Sequence, residues 1–122
     1  MLKKYFVFVI SLLMVLLVFG TVEIIAEEQP VIGVAAIDLN SPFFINMREA
    51  GALAEEDYNV ETNWKSADGS LENQIGIIEN FIQSEVDVIA IDPLDKKAIK
   101  PLIEDAHEAG IKVITMGNFT DS

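Results

Sequence analysis

Short apolar runs alternate with longer amphipathic stretches from Pro30 onward, and this alternation is the feature that most constrains the fold. The run at 31–37 is rich in β-branched residues and too short for an ordinary helix, which indicates a strand. The stretches between such runs have the length and spacing of amphipathic helices. Strands that alternate with helices over short connections are typical of a parallel sheet with crossover helices. The sequence therefore predicts an α/β fold with an open, mostly parallel sheet and flanking helices.

The boundaries of these elements follow from turn and cap signals. Strands are expected at 31–37, 59–63, 86–91 and 112–116, and helices at 42–57, 70–84 and 95–109. Asp68 or Ser70 is expected to cap the second helix, and Gly110 fits a left-handed cap after the third. Pro101 falls inside the third helix, so its first turn is expected to be separate, with the main helix beginning near Lys100. The apolar stripe of the second helix is expected to comprise Leu71, Ile75, Ile78 and Ile82.

Residues 1–26 precede this pattern and have the organisation of an export signal. Two lysines come first, the run 5–19 is almost entirely apolar, and small residues follow at Gly20 and Ala26. Retention as a membrane anchor is the alternative. The apolar run is shorter than the ~20 residues that a spanning helix needs, and lengthening it would bury Glu23. We therefore expect a signal peptide cleaved near Ala26 or Gly20, and export of the remainder.

The charge of the chain limits its partners. The formal net charge is −12 at pH 7, and two of the eight basic residues, Lys3 and Lys4, lie in the predicted signal peptide. Because nucleic-acid affinity comes largely from Lys and Arg on phosphates, nucleic acid is not expected as a partner. The chain has no cysteine, so no disulfide is expected in the mature domain, 27–122.

The carboxyl ends of the predicted strands bring polar and aromatic residues to one edge of the sheet, where open parallel sheets bind ligands. The residues expected there are Asp38, Ser41 and Phe43 after the first strand, Trp64 and Lys65 after the second, Asp92 after the third, and Gly117 and Asn118 after the fourth. Ser41 is expected to cap the first helix, with Pro42 as its first residue. No metal site or cofactor is predicted.

Several of these residues have two interpretations from the sequence. Phe44 is either a core residue or a ligand contact, whereas Phe43, next to the helix cap, favours a ligand-facing ring. Asp92 precedes a proline and is either a turn former or a ligand contact at the end of a buried strand. Asp38 is either a solvated loop acid or a ligand contact, and Trp64 is either a packing residue or part of the site.

The run 31–44, which ends in Asn-Ser-Pro-Phe-Phe at 40–44, resembles the first strand and loop of periplasmic sugar-binding proteins. These are the ribose/galactose-type solute-binding proteins of ABC importers. The resemblance continues through 89–93 and 108–115 and covers nearly all of 31–118. It implies the first lobe, incomplete, of a two-lobed protein that binds a monosaccharide or similar polyol between its lobes. It also implies a membrane permease as partner and a location in the periplasm or cell envelope.

The resemblance implies five ligand contacts: Ser41, Phe43, Phe44, Asp92 and Asn118. An aromatic ring covers the apolar face of a sugar, while carboxylates and amides can bond two neighbouring hydroxyls. Asp92 stands where the family normally has Asn before Pro. Gly117 and Asn118 stand where the family often has Asp-Arg or a similar pair, so the usual pentose or hexose specificity is not implied.

Other functional classes fit the sequence less well. A receiver-like α/β signalling domain could use Asp38 and Asp92 as its acidic site. The export signal argues against it, as do the lack of paired acids after the first strand and of a lysine at the end of a late strand. An enzyme is not expected, because no nucleophile–base pair, phosphate-binding glycine loop or metal cluster is recognisable. The fourth strand has nothing after it to cover its side, so self-association through this exposed sheet edge is expected.

Overall fold

The computed structural model describes residues 1–18 and 28–117, in which helices and strands alternate from residue 31 onward. The elements are α1 (Leu2–Val18), β1 (Val31–Ala36), α2 (Pro42–Tyr58), β2 (Glu61–Ser66), α3 (Leu71–Gln83), β3 (Val88–Ile91), α4 (Lys96–Glu108) and β4 (Lys112–Thr115). The α/β class predicted from the sequence is confirmed.

The four strands form one parallel sheet in the order β2-β1-β3-β4. The chain therefore leaves β1 toward β2 on one side and returns past β1 to reach β3 on the other. Because parallel crossovers are right-handed, this reversal places α2 on one face of the sheet and α3 and α4 on the other. The strand register agrees: Trp64 and its partner Val34 lie on the α2 face, where Trp64 contacts Gly51.

The main core lies between the sheet and α3–α4. Its largest fully buried apolar side chains are Ile78, Phe81, Ile89, Ile91 and Ile99. Burying a side chain of this size stabilises the fold by about 1.5–3 kcal/mol. Phe81 lies directly on the backbone of Gly33, where an added Cβ would be 2.8 Å from ring carbons. Gly33 is thus required for the close packing of α3 on β1.

The α2 face is packed more thinly. Phe44 is the one buried residue of α2, and Leu53 is 66% exposed. Hydrogen bonds supplement this limited burial: the Glu55 carboxylate accepts from the backbone N–H of Thr62 (2.7 Å) and from its hydroxyl. These bonds lower the pKa of Glu55. The Trp64 indole N–H donates to the same hydroxyl at 2.9 Å.

The cap predictions hold. Ser70 is the residue that caps α3, and its hydroxyl accepts from the Asn73 N–H at 3.3 Å. Gly110 follows α4 with a φ of +80°, and its N–H donates to the carbonyl of His107 at 3.0 Å. The next N–H, of Ile111, reaches back to α4 at 2.9 Å, which completes a Schellman motif.

The predicted break at Pro101 is wrong, because α4 is one continuous helix and no main helix begins at Lys100. Asp95 caps its start and accepts from the N–H groups of Lys97 and Ala98. Pro101 lacks only the N–H that would have reached the carbonyl of Lys97, a single bond near the helix start. The face of α4 that packs on the core is formed by Ile99, Leu102 and Ala106.

The bounds of the second and third strands differ most from the prediction, while the first and fourth strands each end one residue earlier than predicted. Asn59 has a φ of +52° and caps α2, so the second strand begins at Glu61 and continues to Ser66 instead of ending at Asn63. The third strand begins at Val88 and not at Val86, because the N–H of Val86 still donates to the end of α3, to the carbonyl of Phe81 (3.3 Å).

The predicted signal peptide coincides partly with α1. Its apolar side chains at positions 5–10 are exposed. None of the helices in the described ranges has the length and apolar character needed to cross a membrane. The two expected cleavage positions, Gly20 and Ala26, lie outside the described residues.

Candidate functional site

The strand order gives the sheet a switch point between β1 and β3. The loops that leave the carboxyl ends of these two neighbours run in opposite directions, and such a divergence is where open α/β sheets hold ligands. The register pairs Ala35 of β1 with Ile91 of β3, so the loop beginning at Ile37 and the turn beginning at Asp92 start side by side. We call these two loops and the adjoining residue Gly117 the candidate site.

The Asp38 carboxylate holds the loop after β1 in its conformation. Asp38 Oδ1 accepts from the backbone N–H of Asn40 at 2.8 Å and from the Asn40 side-chain amide at 3.1 Å. The Asp38 carbonyl accepts from the N–H of Ser41 at 3.3 Å. These bonds form an Asx turn, so Asp38 has a structural role in the loop. That engagement does not favour the receiver-like alternative with an acidic site at Asp38 and Asp92.

Ser41 ends this loop and begins α2. Its hydroxyl accepts from the N–H of Phe44 at 3.4 Å, and Pro42 is the first residue of the helix, as predicted. Capping uses one acceptor position of the hydroxyl, and its O–H can donate to a ligand.

The two phenylalanines after Pro42 have different environments. Phe44 is 4% exposed and belongs to the core, whereas Phe43 is 54% exposed. Their rings meet edge to face, with centroids 5.1 Å apart and an angle of 82° between planes. The buried ring thus supports the exposed ring beside the carboxyl end of β1, and such pairs contribute about 0.5–1.5 kcal/mol beyond area burial.

Asp92 lies on the other side of the switch point and is 7% exposed. Its N–H donates to the carbonyl of Ala35 across the strand boundary at 3.4 Å. The carboxylate lies against Gly117, where an added Cβ would be 3.2 Å from both carboxylate oxygens. Gly117 also has a φ of +68°, so a side chain there would strain the backbone and crowd Asp92.

Gln74 is a site residue that the sequence interpretation missed. It is fully buried on α3, its Nε2 donates to the carbonyl of Asp92 at 2.8 Å, and its Oε1 accepts from the N–H of Leu94 at 2.9 Å. The buried face of α3 consists of Gln74, Ile78 and Phe81, whereas the predicted stripe residues Leu71, Ile75 and Ile82 are half-buried. The available signal was spacing: Gln74 is four residues before Ile78, on the same face of the helix.

The prediction that Trp64 and Lys65 lie at the end of the second strand is wrong, since both lie within β2. Ser66 is the last residue of β2, and its hydroxyl accepts from the N–H of Leu39 at 3.3 Å and donates to Asp68 at 2.6 Å. Ser66 therefore connects the β2 end to the loop after β1. Asn118, predicted as a ligand contact, lies outside the described residues.

A cavity of about 550 Å³ occurs at the opposite edge of the sheet, where the strands begin. It is lined in part by Pro30, Asp87 and Lys112, and none of the predicted ligand contacts within residues 28–117 borders it. Within residues 1–18 and 28–117 no group of three or more His, Cys, Asp or Glu residues is placed to hold a metal ion.

Comparison with known proteins gives a consistent set of relatives. Residues 32–122 match the family described as periplasmic binding protein domain. A D-ribose/D-allose-binding protein of Pseudomonas aeruginosa is 30% identical over 98 residues, which are 77% of this chain and 31% of that protein. A ribose import binding protein of Bacillus subtilis is 27% identical over 90 residues, 74% of this chain and 30% of that protein.

Solved structures agree with the sequence relatives. An ABC transporter periplasmic solute-binding protein of Actinobacillus succinogenes with bound D-allose has a TM-score of 0.73 and 28% identity, covering 77% of this chain and 34% of that one. A solute-binding protein of Bacillus halodurans with bound myo-inositol has a TM-score of 0.68 and 28% identity, covering 77% and 33%. The chain spans about a third of the length of these relatives.

Proposed function

The chain belongs to the periplasmic binding protein domain family, and we propose that it forms part of the substrate-binding component of an ABC-type sugar importer. Its ligand would be a monosaccharide or a similar polyol, held in a cleft between two lobes. Residues 27–122 would supply part of the first lobe, and residues 1–26 would be the signal peptide that directs export to the periplasm or cell envelope. The partner in the membrane would be the importer's permease.

The observation that carries this proposal is the pairing of an exposed aromatic ring with a buried carboxylate across the β1–β3 switch point. Phe43 is 54% exposed next to the end of β1, and Asp92 is 7% exposed at the end of β3. Neighbouring strands lie ~4.8 Å apart, so the loop that leads to Phe43 and the turn that begins at Asp92 leave the sheet side by side. Sugars need this combination, because their C–H faces are apolar and their hydroxyls form hydrogen bonds in both directions.

Each predicted contact has a role in this proposal. Phe43 would stack on the apolar face of the sugar, and Phe44 would hold the Phe43 ring in place from the core. The Asp92 carboxylate would accept from two neighbouring hydroxyls, and the Ser41 hydroxyl would donate to a third. Asn118 would add an amide that can both donate and accept. Binding of this kind makes and breaks no covalent bond, so we propose no enzymatic activity. The similar protein of Pseudomonas aeruginosa is likewise a sugar-binding protein.

A second lobe is part of the proposal for an energetic reason. A sugar held on one side keeps its other hydroxyls in water, so each hydrogen bond contributes little. Association still costs several kcal/mol of translational and rotational freedom. Closure of a second lobe would supply the opposite wall and exclude water.

A chimeric protein tests the proposal. Residues 28–117 would replace the corresponding lobe segment of the Pseudomonas aeruginosa D-ribose/D-allose-binding protein, and calorimetry would measure binding of pentoses, hexoses and polyols. We expect at least one of these to bind, and the same chimera with Phe43→Ala and Asp92→Ala to lose that binding. A folded chimera that binds none of the panel would contradict the proposed function.

A further inference from the structure

The first turn of α3 carries two adjacent amide side chains that reach two different loops of the sheet edge. Asn73 Nδ2 donates to the carbonyl of Ala67, after β2, at 3.2 Å. Gln74 donates to the carbonyl of Asp92 and accepts from the N–H of Leu94, after β3. One helix start is therefore bonded to both loops, and the Gln74 bonds are the shorter ones.

The turn that Gln74 holds contains a proline and leaves the strand ladder. β3 ends at Ile91, and Pro93 has no N–H to donate. The Gln74 amide takes the place of a neighbouring strand, with its donor on the Asp92 carbonyl and its acceptor on the Leu94 N–H. A side-chain amide carries its donor and its acceptor on two separate atoms, whereas an ionised Glu accepts and does not donate.

Distances show which contact fixes the Asp92 backbone. The bond from the Asp92 N–H to Ala35 is 3.4 Å long, near the outer limit for a hydrogen bond, whereas the Gln74 bonds are 2.8 and 2.9 Å. Gln74 is also fully buried, so water does not compete for these bonds. Of these three bonds the two shorter ones come from α3, while the Met116 N–H donates to the preceding carbonyl, of Ile91, at 2.7 Å.

We propose that Gln74 is a positioning residue of the candidate site, which holds the Asp92 carboxylate beside Gly117 by fixing the backbone on both sides of Pro93. This inference rests on the proposed function for its binding consequence, but the geometric effect can be measured without any ligand. An apolar residue at 74 would fill the same space between α3 and the sheet. It would leave the Asp92 carbonyl and the Leu94 N–H without this restraint.

The first experiment uses the chain itself and NMR. With Gln74→Met, we expect the Leu94 amide to exchange with solvent at least tenfold faster. The Gly117 amide signal and the Asp92 carboxyl carbon signal should also shift, while the Phe81 and Ile89 signals stay in place. The matched control is Asn73→Ala, which should affect the Ala67 loop and leave Leu94, Asp92 and Gly117 unchanged.

A neutral variant keeps the test decisive if Gln74→Met unfolds the chain. Gln74→Asn retains the amide but is one methylene shorter, so it is too short to bond the Asp92 carbonyl and the Leu94 N–H together. We expect faster exchange at Leu94 and a moved Asp92 carbonyl signal. Unchanged Asp92 and Gly117 signals in a folded Gln74 variant would overturn the proposal, because a residue that only stabilises the core would give that result.

The second experiment measures affinity in the chimera described above. Gln74→Met is expected to weaken sugar binding about tenfold, and to have little further effect when Asp92→Ala is already present, because both changes remove the same contact. Equal losses in both backgrounds would mean that Gln74 acts independently of Asp92, which overturns the proposal. If the unmodified chimera binds no sugar, the proposed function fails, and the NMR signals still decide the role of Gln74.

Discussion

The two faces of the sheet differ in how much apolar surface they bury. On the α3–α4 face, a row of fully buried side chains including Ile78, Phe81 and Ile89 makes up the core. On the α2 face, Phe44 is the one buried residue that α2 contributes, and the carboxylate of Glu55 fastens α2 to β2. Apolar burial is therefore larger on the α3–α4 face, whereas the α2 face buries fewer and smaller side chains, such as Val34 and Ala90, and adds hydrogen bonds to them.

The candidate site takes residues from both faces of the sheet, and each face contributes a different property. Ser41 and Phe43 come from the start of α2, the thinly packed side, while Asp92 is restrained from the densely packed side by Gln74. A sugar site needs an exposed aromatic ring, and the aromatic ring of the α3–α4 face, Phe81, is fully buried. It also needs a polar group held still, which the rigid α3–α4 face provides.

The largest expected effect is a loss of stability when the α3–α4 face is disrupted. Phe81→Ala should lower the free energy of unfolding by about 3–5 kcal/mol, because it empties a buried site against Gly33. The matched change on the thin face, Leu53→Ala, should alter it by less than about 0.5 kcal/mol, since Leu53 is 66% exposed. Urea unfolding of both variants measures the contrast, and similar losses for both would contradict it.

The next effect concerns ligand affinity at the point where the two faces meet. In the chimera, Asp92→Ala should weaken sugar binding by about 1–3 kcal/mol, the usual consequence of leaving a buried polar partner unsatisfied. Glu79→Ala is a suitable control, because Glu79 is an exposed acid on α3. Calorimetry that shows unchanged affinity for Asp92→Ala would make Asp92 a turn residue only.

Much of the fold was predictable because its signals are local. The strand–helix alternation, the Ser41 and Ser70 caps and Gly110 all follow from neighbouring residues, and all are confirmed. The start of β2 was not predictable in this way, because Asn59 adopts a left-handed cap that its sequence neighbours do not indicate. At Pro101 the local signal predicted a break that does not occur, because packing of α4 on the sheet outweighs one missing hydrogen bond.

The candidate site was predictable only in part. Position after a strand end pointed to Asp92 and Phe43, whereas Phe44 had two interpretations from the sequence and only its burial assigns it to the core. Gln74 escaped notice because a polar residue within an apolar stripe is ordinarily assigned to its edge. Its two partners, at Asp92 and Leu94, are 18 and 20 residues away along the chain. Contacts of that range become visible only when the helix is seated on the sheet.

A third prediction concerns the open edge of the sheet. β4 is one of the two outer strands of the described sheet, and Ile114 on it is 55% exposed. We expect the chain to self-associate through this edge, and Ile114→Lys to reduce the associated fraction severalfold, because an edge charge opposes strand pairing. Sedimentation velocity is the measurement, with Leu53→Lys on α2 as the control. Equal association of both variants would place the contact elsewhere.

The smallest expected effect is a pH dependence of the stability that Glu55 adds on the α2 face. Because hydrogen bonds from Thr62 lower the pKa of Glu55 in the folded chain, ionised Glu55 stabilises α2 above its ordinary pKa. This contribution is lost as the pH falls through the lowered value. Glu55→Gln should therefore be less stable than the unchanged chain at pH 7, with a gap that narrows in acid. Glu56→Gln, at an exposed neighbour, should leave the profile unaltered.

The central claim is that the β1–β3 switch point forms one wall of a sugar site, and an NMR titration of the folded chain with ribose, allose and inositol tests it directly. We predict amide shifts confined to Ser41, Phe43, Asp92 and Gly117, with an apparent Kd weaker than about 1 mM, since a one-sided site recovers little of the cost of association. Shifts at the opposite edge, around Asp87 and Lys112, would contradict the location. Saturation at micromolar sugar by a monomeric chain would contradict the need for a second lobe.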